Sequence, residues 1–257
     1  MKRYILSISL LLVTISCSQQ NSFMKKWYDN NGVRGTIIIS ALNNSKAYVY
    51  NEERSRKRFL PASTFKIPNT LIALEEGIVK NADEIIKWDG HKWQFKSWNK
   101  DQSIRTALPI SCVWFYQELA KRTGNDKYLK WLKKLNYGNM QTGKDIDTFW
   151  LNGDLRISAE EQINFLKNLY ENKLPFNKDN MLLLKELLLI EQNSNYKLYA
   201  KTGLTMRVEN QIGWYVGFVE TEDEIWIFAS NLDIKNPEDE KYRKESVLVA
   251  LRELNII

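Results

Sequence analysis

The placement of β-rich segments at both ends of the chain, around a long helical middle, constrains the fold most. Near the N-terminus, Gly35–Ser40 and Ala47–Tyr50 are rich in β-branched and aromatic residues, and the polar residues between them predict a hairpin. Three further runs have the spacing of a meander: Tyr196–Lys201, Gly213–Glu220 and Glu224–Asn231. Because strands at both ends need partners for their edges, we expect one common sheet. The predicted fold is α/β of the α+β type, an antiparallel sheet built from both chain ends and flanked by helices, with an inserted all-helical lobe.

Apolar residues at helical spacing dominate the middle of the chain and return at its end. Ser158 and Glu161 form a capping box, and Pro237 follows an asparagine as in a helix N-terminus. Residues 81–108 have a loop-like composition. The predicted helices are Ser63–Val79, Ser111–Arg122, Asp126–Leu135, Ser158–Tyr170, Leu182–Ile190 and Asn236–Leu254. A functional site is expected in the cleft between the sheet and the helical lobe.

Length and charge favour one globular domain. The chain has 257 residues and a formal net charge of +6. Its basic residues alternate with acidic ones, which is typical of a solvated surface and not of a nucleic-acid-binding stripe, so we expect no nucleic-acid partner. Residues 24–257 are interpreted as a single domain.

The N-terminus has the pattern of an export signal. Lys2 and Arg3 precede an apolar run over residues 5–15, which is too short to span a bilayer stably. Residues 1–16 therefore predict a signal peptide. It is similar to a bacterial lipoprotein signal with Cys17 as the lipidated residue, although Thr14 replaces the usual leucine, and ordinary cleavage near residues 16–22 is the alternative. Either form predicts an exported protein, periplasmic and with membrane attachment only through a lipid on Cys17.

Histidine and cysteine chemistry receives little support from the sequence. The single histidine, His91, lies in a turn, where it is more often solvated or structural than catalytic. Cys112 is the only cysteine besides Cys17, so no structural disulfide is expected. Metal ligands in zinc-site spacing and a glycine-rich phosphate loop are both absent from the sequence, and we expect no metal.

Ser63 and Lys66 lie three residues apart in apolar surroundings. On a helix these positions share one face, so a hydroxyl and an amine could share a proton. Burial would let the lysine lose its charge, since desolvation lowers a lysine pKa by up to ~3–5 units. The alternative is an ordinary helix start with Lys66 in solvent, and Pro68 argues for a kinked or late-starting helix.

Two more short motifs contain candidate site residues. Lys201-Thr202-Gly203 ends a predicted strand, where a cation, a hydroxyl and a glycine suit an anionic carboxylate, and Ser111-Cys112-Val113 opens the predicted helix Ser111–Arg122. Each has a structural alternative, a turn glycine for the first and a helix cap for the second.

The ordered combination resembles the penicilloyl-serine transferase superfamily, in which S-x-x-K, a second serine motif and K-T-G line one cleft. The finer pattern resembles the class D β-lactamases (oxacillinases), and this likeness runs from about residue 35 to the C-terminus. It rests on Val113 in the second motif and on four further segments, Ser97-Trp98-Asn99, Tyr137-Gly138-Asn139, Phe149-Trp150-Leu151 and Gly213–Gly217.

The resemblance implies hydrolysis of the β-lactam ring of penicillin-type antibiotics, with antibiotic resistance as the result. Ser63 would be the nucleophile that forms an acyl-enzyme. Lys66 would carry CO2 as an N6-carboxylated side chain and act as general base, so CO2 or bicarbonate is the only cofactor expected. Val113 would keep the lysine pocket dry, and Trp150 would donate a hydrogen bond to the carbamate.

The resemblance also implies roles for the other side of the cleft. Ser111 would relay a proton to the leaving ring nitrogen, and Lys201 would hold positive potential near it. The backbone N–H groups of Ser63 and Leu204 would form the oxyanion hole. The residues expected to bind or enclose the substrate are Trp98, Thr202, Gly203 and Arg243.

Three other functions remain open at this stage. A penicillin-binding D,D-peptidase shares the three motifs, and a β-lactam sensor domain would be acylated without turnover. The third alternative is a structural lipoprotein without activity, in which the three ordered motifs would occur by coincidence. The oligomeric state does not follow from the sequence. The substrate spectrum does not follow either, because it depends on loop geometry around Trp98, Leu151 and residues 204–212.

Overall fold

Six antiparallel strands form the sheet in a computed structural model that describes residues 22–257. The spatial order is β2-β1-β6-β5-β4-β3, so strands from the two chain ends meet where β1 pairs with β6. This confirms the predicted common sheet. The strands are β1 (Gly35–Ala41), β2 (Ala47–Tyr50), β3 (Leu189–Gln192), β4 (Tyr196–Leu204), β5 (Gln211–Thr221) and β6 (Ile225–Ile234).

Helices surround the sheet and fill the middle of the chain. Residues 22–30 form α1. The other α-helices are α2 (Glu52–Arg56), α3 (Lys66–Glu75), α4 (Ile104–Ala107), α5 (Val113–Thr123), α6 (Asn125–Lys134), α7 (Ala159–Tyr170), α8 (Lys178–Leu187) and α9 (Tyr242–Glu253). Short 3₁₀ turns cover Ala62–Phe65, Lys96–Trp98 and Pro237–Lys241.

Apolar side chains of the strands point alternately to the two faces of the sheet, and a hydrophobic core forms on each face. In β1, Ile37 and Ile39 pack with α9 residues such as Val247, whereas Ile38 belongs to the larger core with the helical lobe. Successive side chains of a strand point to opposite faces, so a fully buried strand needs apolar residues on both. The predicted inserted lobe therefore packs on one face, and the terminal helix covers the other.

Several element boundaries differ from the prediction. Leu189 and Ile190 were predicted at the end of a helix but lie in the exposed edge strand β3, because an apolar run alone does not distinguish the two states. α5 begins at Val113 and not at Ser111, because Ser111 has a left-handed backbone with φ +54°. The terminal helix begins as the 3₁₀ turn Pro237–Lys241. Helices α1, α2 and α4 were not predicted, and α4 lies within the segment 81–108 that was expected to be loop-like.

Pro68 lies in the first turn of α3, which begins at Lys66 after the 3₁₀ turn. Backbone N–H groups in a first helical turn have no intrahelical partner, so a proline there removes no required hydrogen bond. A late-starting helix, one of the two alternatives from the sequence, is the arrangement observed.

The predicted signal peptide over residues 1–16 and the lipidation site Cys17 lie outside the described residues. Among the helices of residues 22–257, none has both the length and the apolar character needed to cross a membrane.

Candidate active site

The turn that carries Ser63 is fixed from two sides. The backbone N–H of Ala62, which has φ +48°, donates to the carbonyl of Trp150 at 2.9 Å. The indole of the buried Trp214 donates from Nε1 to the carbonyl of Leu60 at 2.8 Å. Since non-glycine residues rarely adopt positive φ, this turn is held by its surroundings and not by local preference.

Ser63 and Lys66 are in direct contact, as the motif spacing predicted. Lys66 Nζ lies 2.8 Å from Ser63 Oγ, and the lysine side chain is fully buried. Burial holds the pKa of Lys66 well below its ordinary value, and the positive charges of Lys201 and Arg207 lower it further. A neutral amine next to the hydroxyl can accept its proton, so this pair has the chemistry of an activated serine.

An aromatic ring lies next to the Lys66 amine. Its Nζ lies 5.2 Å from the centre of the Tyr116 ring, and Tyr116 follows Val113 by three residues on the same face of α5. Trp150 is fully buried and stacks on Phe65 with ring centres 5.7 Å apart. The indole Nε1 of Trp150 has no hydrogen-bond partner within the described residues. A buried donor without a partner is uncommon, and it leaves the Trp150 indole able to bind an acceptor.

Ser111 and Lys201 form a second hydrogen-bonded pair. Lys201 Nζ contacts Ser111 Oγ and also donates to the carbonyl of Thr202 at 3.1 Å. Burial, and then the positive charge of Arg243, lowers the pKa of Lys201 to about 7. Ser111 holds its left-handed backbone just before α5, which brings its hydroxyl to the strand. The lysine can therefore exchange a proton with Ser111 near neutral pH.

Gly203 lets strand β4 approach the nucleophile turn. A Cβ atom at this position would lie 3.0 Å from the carbonyl oxygen of Pro61 and 3.2 Å from Thr64 Cγ2. Both contacts are tighter than an ordinary van der Waals distance, so glycine permits the close packing of the strand on the turn. Thr202 and Leu204 on either side of it line the cleft.

Arg243 reaches the cleft across strand β5. Its stem lies over Gly213, where a Cβ atom would be 2.6 Å from Arg243 Cγ and Cδ. The guanidinium donates to the carbonyl of Gly203 at 3.0 Å and to Glu240 Oε2 at 2.8 Å. Burial lowers the pKa of Arg243, while Glu240 opposes that shift. The structure thus places this terminal-helix residue beside the Lys201-Thr202-Gly203 strand.

A cleft of about 450 Å³ opens above the two pairs, between sheet and lobe. Trp98 forms part of its wall, with its indole Nε1 donating to the carbonyl of Ile110 at 3.1 Å. The predicted residues that line the cleft are Ser63, Trp98, Ser111, Val113, Thr202, Gly203, Leu204 and Arg243. His91 is not among the lining residues and packs against Trp93.

Phe95 also lines the cleft, and no signal in the sequence pointed to it. Leu151, Met206 and Arg207 line the cleft as well, and they lie in the loops on which the substrate spectrum was expected to depend. Tyr116 could have been found, because it lies one helical turn after Val113. Cys112, between two site residues, is fully buried, and burial raises the pKa of its thiol to about 11, so it remains protonated near neutral pH.

Comparison with known proteins agrees with this geometry. The sequence profile described as the penicillin binding protein transpeptidase domain matches residues 15–251. The chain is 37% identical to the β-lactamase OXA-48 of Klebsiella pneumoniae, over 98% of this chain and 99% of that protein. It is 40% identical to OXA-10 of Pseudomonas aeruginosa, over 88% of this chain and 86% of that protein.

Solved structures give the same result. FUS-1 (OXA-85), a class D β-lactamase from Fusobacterium nucleatum subsp. polymorphum, matches with a TM-score of 0.89 and 42% identity, over 92% of this chain and 98% of that chain. The class D β-lactamase YbXI from Nostoc matches with a TM-score of 0.88 and 41% identity, over 91% of this chain and 99% of that chain. The chain therefore belongs to the class D β-lactamases, within the wider family of penicillin binding protein transpeptidase domains.

Proposed function

We propose that the protein hydrolyses the β-lactam ring of penicillin-type antibiotics through an acyl-enzyme on Ser63, and so confers antibiotic resistance. The observation that carries this proposal is the 2.8 Å contact between Ser63 Oγ and the fully buried Lys66 amine. No histidine lines the cleft within the described residues, and Lys66 is the basic group in contact with the Ser63 hydroxyl, so we assign the base for acylation and deacylation to Lys66.

Lys66 is the residue that would carry CO2 as a carbamate. CO2 reacts only with a neutral amine, and burial lowers the pKa of Lys66 in that direction. The unpartnered Nε1 of Trp150 is a donor of the kind that an anionic carbamate requires. Val113 at the cleft offers no competing hydrogen bond to the amine. A carbamate on Lys66 would supply an anionic oxygen base for the Ser63 proton and for the hydrolytic water.

Residues on the opposite side of the cleft would protonate the leaving group and bind the substrate carboxylate. Ser111 passes a proton to the ring nitrogen, and Lys201, at hydrogen-bond distance from it, supplies positive potential. Each backbone N–H of the oxyanion hole, from Ser63 and Leu204, is typically worth about 3–4 kcal/mol in such sites. The substrate carboxylate would bind along the Thr202-Gly203 edge with Arg243, and Trp98 would enclose the ring.

Export would bring the enzyme to its substrate. The charged and apolar pattern of residues 1–16 supports secretion, with lipidation of Cys17 or ordinary cleavage as the two routes. In either case we propose action in the periplasm, where penicillins meet their targets.

Turnover of benzylpenicillin by the purified protein tests this function. With bicarbonate present we expect many turnovers per enzyme molecule, and with CO2 removed we expect a lower rate that bicarbonate restores. Lys66→Ala should either stop acylation or trap the acyl-enzyme, which mass spectrometry detects as a stable adduct on Ser63. A single stoichiometric burst by the wild type would instead indicate a β-lactam sensor or a penicillin-binding peptidase.

A further inference from the structure

In the described part of the chain, the charged residues that line the substrate cleft are all cations. Its lining includes two arginines, Arg207 and Arg243, and no aspartate or glutamate among the described residues. Arg243 is held by Gly203 and by Glu240, whose carboxylate offsets part of its charge. This leaves Arg207 as a cation that the proposed mechanism does not assign to any group of the substrate.

Arg207 is available to a ligand. It lies in the exposed turn between β4 and β5, and it has no hydrogen bond or ion pair within residues 22–257. The acidic residue of the same turn, Glu209, is exposed and does not line the cleft. An arginine side chain presents its donors as a planar fork that matches a carboxylate, so an unpaired one at a cleft suits a carboxylate ligand.

The two arginines occupy different places in the cleft lining. Arg243 is held against strand β4 by its hydrogen bond to the carbonyl of Gly203. Arg207 lies beyond the end of that strand, in the turn that also carries Met206. In a penicillin, the ring carboxylate and the acyl side chain project from opposite ends of the bicyclic nucleus. A ring carboxylate at Arg243 leaves Arg207 to the acyl side chain.

We propose that Arg207 is a specificity-determining residue that favours β-lactams with a second anionic group, such as a carboxylate, on the acyl side chain. The apolar side chains of Leu151 and Met206 line the same cleft and suit an aryl group next to that carboxylate. This inference rests on the proposed function, since it assigns part of the substrate of that site.

Benzylpenicillin and α-carboxybenzylpenicillin test the proposal, because they differ by one side-chain carboxylate. In Arg207→Gln we expect kcat/KM for the carboxylated drug to fall about three- to fivefold relative to benzylpenicillin, mainly through KM. Arg207→Lys should keep most of the preference, because it retains the charge. Added salt should shrink the difference, since the contact is exposed to solvent.

Lys46→Gln is the matched control, since it removes the same charge at the exposed hairpin turn between β1 and β2. An equal change for both drugs in Arg207→Gln, or the same selective change in Lys46→Gln, would overturn the proposal. If the wild type does not turn over benzylpenicillin, the proposed function fails instead. In that case the rates at which the two drugs acylate Ser63, measured by mass spectrometry, test the preference due to Arg207. If the ratio of the two rates is the same in the wild type and in Arg207→Gln, the preference is rejected.

Discussion

Burial of Lys66 governs the chemistry at the scale of single residues. Its amine is fully enclosed, and positive charges from Lys201 and Arg207 act on it, so its protonated form is disfavoured. The motif spacing predicted the contact with Ser63, because a helical turn fixes which side chains meet. The sequence indicated that residues 204–212 shape the cleft, but the position of Arg207 could not be predicted, since the path of this turn depends on the packing of two strands. The unpartnered indole of Trp150 likewise becomes visible only in the folded chain.

Trp150→Phe removes the indole donor and keeps an aromatic ring on Phe65. We expect the bicarbonate concentration for half-maximal activity to rise about tenfold or more, because a hydrogen bond to a charged group is worth roughly 1.5–3 kcal/mol. Activity titrations with bicarbonate in CO2-depleted buffer measure this shift.

Trp214→Phe is the control for Trp150→Phe. It also removes a buried indole donor, but that donor binds the carbonyl of Leu60 and not the lysine pocket. We expect Trp214→Phe to lower stability and, through the Ser63 turn, the maximal rate, but to leave the bicarbonate concentration for half-maximal activity unchanged. A similar bicarbonate shift in both variants, or none in Trp150→Phe, would remove Trp150 from the site.

At the scale of elements, turns with special backbone geometry support the site. Gly138 has φ +56°, and the turn that it forms is tied to the segment after Trp150. Asn139 Oδ1 accepts from the backbone N–H of Arg156 at 2.9 Å, and its amide donates to the carbonyl of Asp154 at 2.7 Å. The sequence resemblance singled out this turn, but only the structure shows its hydrogen bonds. The capping box at Ser158, in contrast, was predicted and is confirmed, because its signal is local.

Gly138→Ala should destabilise the protein more than Gly77→Ala does. Both glycines have positive φ, so both variants lose about 1 kcal/mol from backbone strain. A Cβ atom at Gly138 would also lie 2.0 Å from the carbonyl oxygen of Arg156, whereas at Gly77 no atom lies within 4 Å. Urea unfolding measures the two free energies, and equal losses would contradict the role given to this turn.

At the scale of the whole molecule, strands from both chain ends form one sheet, with α9 on one face and the lobe on the other. This arrangement was predictable because β-rich runs at both termini need a shared sheet. The edge strand β3 was not predictable, since the spacing of its apolar residues is equally compatible with a helix. Two lysines are buried near the cleft, Lys66 in helix α3 and Lys201 in strand β4. Their charges should affect the stability of the entire fold.

Stability should rise with pH from about 7 to 8.5. The folded pKa of Lys201 is about 7 against an ordinary value of 10.5, so the unfolded chain binds more protons across this range. The free energy of unfolding then increases with pH, by roughly 1–2 kcal/mol from this residue. Lys201→Met should flatten the dependence in urea unfolding under CO2-free conditions. A wild-type stability that falls or stays constant over this range would contradict the lowered pKa.

Carbon-13 NMR of the protein in ¹³C-bicarbonate tests the central claim, that Lys66 carries a carbamate, most directly. We expect one enriched carbamate resonance in the wild type, with an intensity that follows activity as bicarbonate is varied. The resonance should be missing in Lys66→Ala and retained in the control Trp214→Phe. A fully active wild-type protein without such a resonance, or an unchanged resonance in Lys66→Ala, would contradict the account.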